Sequence, residues 1–109
     1  MVKWGMETTR RNLSFPKLNG LRPTLESTAL KLMEEAGELA QAIGKLRGLS
    51  GERMTLTEPE RLSRVAAELL DVAQTAATMM YVLEEQHGVD LGDLLAQHEA
   101  KLRAKGYLN

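Results

Sequence analysis

Lys31-Leu32-Met33-Glu34-Glu35-Ala36-Gly37-Glu38-Leu39 is the stretch on which the reading turns. Leu32, Ala36, Leu39 and Ile43 recur at three- and four-residue steps, the spacing of a helical stripe that faces a core. No strand alternation is convincing anywhere in the chain, so the expected fold is all-α. Glu35 and Glu38 are three apart and leave the same side of the helix, with Cβ atoms about 5–6 Å apart. Glu34 borders them, and Lys31 precedes them by one turn. Like charges at this spacing cost roughly a few tenths of a kcal/mol, which a surface helix tolerates.

A second pair raises the stake. Val65-Ala66-Ala67-Glu68-Leu69-Leu70-Asp71-Val72-Ala73 again sets two acids three apart, in an otherwise apolar run. That context predicts partial burial, and a buried carboxylate needs a partner. The basic neighbours Arg61 and Arg64 are too few for five acids. A divalent cation meets the need, and oxygen donors without sulfur or imidazole suit Mg²⁺ or Mn²⁺. The competing reading is solvated helix charge. Ferritin-like di-iron bundles also place Glu on facing helices but add Glu-x-x-His. Here the second pair is Glu-x-x-Asp, and neither His87 nor His98 stands at that spacing from a core acid. His98 reads as a helix-face residue.

Glu34-Glu35-x-x-Glu38, followed at a distance by Glu68-x-x-Asp71, resembles the motif pair of the MazG-like, all-α nucleoside triphosphate pyrophosphohydrolases. The wording from Lys31 to Leu39 is similar to that family's first motif beyond the acids, and the resemblance covers roughly residues 21 to 87. It implies a Mg²⁺-dependent enzyme, with Mn²⁺ as the substitute, that converts an NTP or dNTP to the monophosphate and pyrophosphate. The sense it implies is removal of unwanted nucleotides. By the same resemblance Glu35, Glu38, Glu68 and Asp71 hold the metal. Glu34 is a further ligand, positions the attacking water, or is surface charge. The resemblance also implies a homodimer or homotetramer, and a triphosphate contact from Lys101, Arg103 and Lys105, whose bland reading is a dipole complement in a last helical turn. Lys31 either meets a substrate phosphate or pairs with Glu34 or Glu35. Trp4 and Tyr81 are candidates to stack on a base, against the commoner core role. Met33, Met79 and Met80 read as core fillers. Two other functions stay open: a phosphoribosyl-ATP-type pyrophosphohydrolase sharing fold and acid pattern, and a non-catalytic helical interaction module.

Composition narrows the class. The chain has 109 residues, 43% hydrophobic and 27% charged, with a formal net charge of −1. That length predicts one domain, and the balance lacks the basic excess of a general nucleic-acid binder. No run of eighteen apolar residues predicts a membrane span, and Met1-Val2-Lys3-Trp4-Gly5 lacks the apolar core of a signal peptide. With no cysteine there is no disulfide and no thiolate metal site. The expectation is a cytoplasmic protein without membrane or nucleic-acid partners.

Three helices are expected. The first begins near Thr24, after Pro23, and runs to about Lys45. Residues 47 to 57 read as a loop broken by Gly48 and Gly51. Thr57-Glu58-Pro59-Glu60 opens the second helix as a capping box with proline in the first turn, and Gly88 ends it. Its apolar stripe runs Leu62, Val65, Leu69, Val72, Ala76, Met79 and Leu83, while Leu70, Ala77 and Tyr81 fall on another side, so it needs more than one partner. Asp90 caps the third, which presents Leu91, Leu94, Leu95, His98 and Leu102 and ends near Gly106. Met6 to Leu13 is a possible short N-terminal helix. Two long helices joined by about ten residues can lie antiparallel, and the two acid pairs then face each other across one cleft.

Overall fold

A helix needs its first N–H groups satisfied, and this chain supplies a side chain for that at each of three starts. The computed structural model describes residues 10–49, 51, 53 and 55–109. Among them it contains α1 (Leu25–Leu46), α2 (Glu58–His87) and α3 (Leu91–Ala104), and no strand. The all-α expectation holds, and each helix boundary lies within two residues of the one read from the sequence. Arg10 to Leu13 lie outside any helix, and the rest of the possible N-terminal helix, like Trp4, falls outside the described residues.

Thr57 Oγ1 accepts the Glu60 N–H at 3.3 Å, and Glu60 Oε1 accepts the Thr57 N–H at 3.2 Å. Asp90 Oδ1 accepts the Asp93 N–H at 3.0 Å. α1 has a capping box too, with a different partner: Thr24 Oγ1 takes the Ser27 N–H and Ser27 Oγ takes the Thr24 N–H. At the far end of α2, Gly88 turns the chain with φ +65°, and the following N–H of Val89 reaches back to the Leu83 carbonyl. That conformation favours glycine, because a Cβ there crowds the following carbonyl.

α1 and α2 pack against each other, the last turn of α1 beside the first turns of α2. α3 makes no comparable contact with either. The second side of α2 finds its partner in the proline-bearing segment before α1. Gln74 and Gln86 donate to the carbonyls of Pro16 and Pro23 at 3.1 and 2.9 Å, the Tyr81 hydroxyl reaches the Phe15 carbonyl at 3.4 Å, and Lys17 pairs with Glu85. Proline carbonyls inside a strand-less segment have no backbone donor of their own, so long amide side chains satisfy them. Arg10 pairs with Glu99 and ties the same segment to α3.

The core is thin. Val82, Thr28, Thr78 and Glu35 are the buried residues described. Met33 is 73% exposed and Met80 50%, so neither fills a core within this chain, contrary to the expectation. No helix among the described residues is long and apolar enough to cross a membrane.

The α2 cap carries a testable consequence. Glu60's carboxyl is held below its ordinary range, first by the Thr57 hydroxyl and then by the Thr57 N–H. A depressed carboxyl contributes stability above its unfolded value and loses it as pH falls through its folded value. Thr57→Ala is expected to cost about 1 kcal/mol at pH 7, with the deficit narrowing below about pH 4. Urea unfolding at both pH values checks this; a deficit that widens in acid contradicts the cap geometry.

Candidate metal and phosphate site

The antiparallel packing of α1 on α2 sets the acid pairs against each other. One carboxylate oxygen each from Glu35, Glu68 and Asp71 lie within 4.8 Å of one another. Glu35 belongs to α1 and the other two to α2, where the i, i+3 spacing stacks them on one side. Burial grades across the cluster: Glu35 is 7% exposed, Glu68 half-buried and Asp71 exposed. The apolar neighbours Leu70 and Val72 therefore do not bury Asp71.

Two oxygens in this cluster stand out. Glu35 Oε2 and Glu68 Oε2 are buried and have no hydrogen-bond partner. Leaving an ionised oxygen in that state is costly. Lys31 offsets part of the charge: its ammonium lies 3.1 Å from Glu35 Oε1 and 3.8 Å from Glu34 Oε2. Its pKa is raised, chiefly by the bond to Glu35. Of the two roles open to Lys31, this structure displays the ion pair.

Glu38 lies outside the group of three but feels it. Its carboxyl is held above the ordinary range, first by the charge of Glu35, then by desolvation and by Glu68. It lines the adjoining cleft together with Glu68. Glu34 is exposed and has Lys31 as its partner. An all-oxygen set with two unpartnered buried oxygens fits Mg²⁺ or Mn²⁺, which take carboxylate oxygens and demand negative charge.

The other residues singled out in the sequence do not gather here. Lys101 and Arg103 lie in the last turn of α3 and Lys105 caps it. All three are exposed, and none lines the cleft. The structure instead brings Lys45, Arg61 and Arg64 to the cleft wall. Their spacing carried the signal: Arg61 and Arg64 precede Glu68 by seven and four residues, so they share its face.

The chain matches the family model of the MazG nucleotide pyrophosphohydrolase domain over residues 23–105. Neither a curated protein nor a solved structure matches it. The family match spans well over half of the sequence, and the chain belongs to that family.

Charge crowding makes the acid cluster a stability liability. Glu38's raised pKa means that its contribution to stability is present below the unfolded carboxylate range and is lost as pH rises through the folded value. In chelator, Glu38→Gln is expected to melt above the wild type at pH 7, with the gap closing as pH falls toward about 4. Thermal melts in EDTA across that range check it. A mutant less stable than wild type at pH 7 contradicts the crowding.

Proposed function

We propose that this chain is a divalent-metal-dependent nucleoside triphosphate pyrophosphohydrolase that takes an NTP or dNTP to the monophosphate and pyrophosphate. The observation that carries the reading is the pair of buried, unpartnered oxygens of Glu35 and Glu68 beside Asp71. Glu35, Glu68 and Asp71, with Glu38 next to them, would hold Mg²⁺ or Mn²⁺. When bound, that ion offsets the charge of the triphosphate and stabilises the charge that develops on phosphate oxygens.

The chain's own residues then do three things. The carboxylates would hold the ion that receives the phosphates. Lys31 holds Glu35 at 3.1 Å and so orients it. The cleft of about 410 Å³ beside Glu38 and Glu68 admits the polyphosphate. Water oxygen bonds to the α-phosphorus, the bond to the bridging oxygen breaks, and its electron pair leaves with pyrophosphate. The proton of the attacking water passes to the surrounding carboxylates and solvent. Family membership favours this reading over a non-catalytic helical module. A phosphoribosyl-ATP substrate is tested in the same panel as the nucleotides.

The reading includes self-assembly. The radius of gyration is 17.1 Å, against about 13 Å for a compact 100-residue domain. Leu30 and Met33 on α1, Leu62, Leu69 and Leu70 on α2, and Leu94 and Leu95 on α3 are exposed. Apolar faces on all three helices call for cover that one chain does not give, and a second copy supplies the same faces by symmetry.

Two outcomes are expected. Groups that merely orient a metal ligand cost about 10–100-fold when changed, so Glu68→Gln and Asp71→Asn should each lower Mg²⁺-dependent pyrophosphate release by more than about 100-fold while far-UV circular dichroism stays unchanged. Turnover near wild type in either mutant, at saturating Mg²⁺ on a hydrolysed nucleotide, removes that residue from the site. Light scattering at micromolar concentration should give at least twice the 12.1 kDa of one chain; a stable monomer defeats the assembly.

A further inference from the structure

The cleft beside the carboxylates has a second end, and its charge is opposite. Its lining runs from Glu38 and Glu68 to Lys45, Arg61 and Arg64, with Arg53 reaching in from the segment between α1 and α2. Lys45 follows Glu38 by seven residues on α1, and Arg61 precedes Glu68 by seven on α2. Because the helices are antiparallel, both walls change from negative to positive over the same distance, roughly 10 Å along the axis. The volume, about 410 Å³, lies in the range of small-ligand sites, about 300–1,000 Å³.

Two arginines of the cationic end retain donors that the fold does not use. The Arg61 guanidinium donates one N–H to the Leu56 carbonyl, which anchors it at the root of α2. Its Nε is buried and has no partner. Anchoring the loop occupies one nitrogen of the fork and does not explain the unpartnered one. Arg64, exposed one turn from Glu68, makes no ion pair among the described residues. A guanidinium fork matches two oxygens of a phosphate.

Resting on the pyrophosphohydrolase reading, we propose that Arg61 and Arg64 hold the two terminal phosphates of the nucleotide, so that pyrophosphate departs from the α1–α2 loop end and the nucleoside lies toward the opposite end of the carboxylate cluster. Charge sets the direction. The terminal two phosphates carry the larger share of the negative charge and belong at the cationic end. The nucleoside side carries less charge and belongs beyond Asp71. The basic cluster of α3 takes no part in this hold within the chain, since none of it lines the cleft.

Product inhibition tests the direction. Inhibition constants for inorganic pyrophosphate and for the monophosphate product are measured with Mg²⁺ on wild type, Arg64→Gln, Arg61→Lys and Lys101→Gln. Arg64→Gln is expected to weaken pyrophosphate inhibition about 10- to 100-fold, the worth of a hydrogen bond to a charged group, and to leave monophosphate inhibition unchanged. Arg61→Lys, which keeps the charge and loses the fork, should weaken pyrophosphate in the same sense. Lys101→Gln should change neither. Equal weakening of both products in Arg64→Gln, no weakening, or selective weakening in Lys101→Gln instead overturns the assignment while leaving the pyrophosphohydrolase reading standing. If wild type hydrolyses no nucleotide, that reading fails, and calorimetric titration of inorganic pyrophosphate with Mg²⁺ still decides the subsite. Weaker binding in Arg64→Gln than in wild type supports it, and equal or absent binding overturns it.

Discussion

Everything at the centre of this molecule depends on a carboxylate of α1 being pressed against the carboxylates of α2. Glu35 is among the four buried residues described, and one of its oxygens has no partner. A helix pair selected for stability alone would place an aliphatic side chain there, since a buried carboxylate with one oxygen unsatisfied is costly even beside a lysine. The same packing gathers the negative charge that a divalent cation would offset. Lys31 shows how the cluster survives without one: its ion pair with Glu35 offsets part of the charge from the exposed side.

The acid cluster also explains the plan of the two long helices. Antiparallel packing with i, i+3 pairs brings acids of both helices together from two short motifs. The packing brings a second consequence. Residues one and two turns beyond the acids meet as well, and in this chain those are Lys45, Arg61 and Arg64. One cleft thus has an anionic half suited to a cation and a cationic half suited to an anion. A metal–polyphosphate complex has the complementary polarity along its length.

Much of this was legible in the sequence, for local reasons. The caps Thr57/Glu60 and Asp90 and the stop at Gly88 act through neighbours within three or four residues, so their geometry follows from the order of residues. The box at α1 escaped because Ser27, not Glu or Gln, stands at its third helical position. The acid pairs were legible because helical spacing alone fixes each pair's direction. Burial was not. Asp71, flanked by Leu70 and Val72, is exposed, while Glu35, in a more polar run, is buried. Which side of a helix is covered is set by tertiary packing, and here the segment at Phe15, Pro16 and Pro23 covers one side of α2 through Gln74, Tyr81 and Gln86. Met33 and Met80 misled for the same reason: no element among the described residues covers them.

The central claim is that Glu35, Glu68 and Asp71 form a seat for a divalent ion. Mn²⁺ binding followed by electron paramagnetic resonance of the free ion tests it without substrate. The account predicts saturable binding by the folded protein, displaced by Mg²⁺ and lost when Glu68→Gln is introduced. Folded wild-type protein that binds no Mn²⁺ saturably, or binds it equally well with Glu68→Gln, would contradict the account.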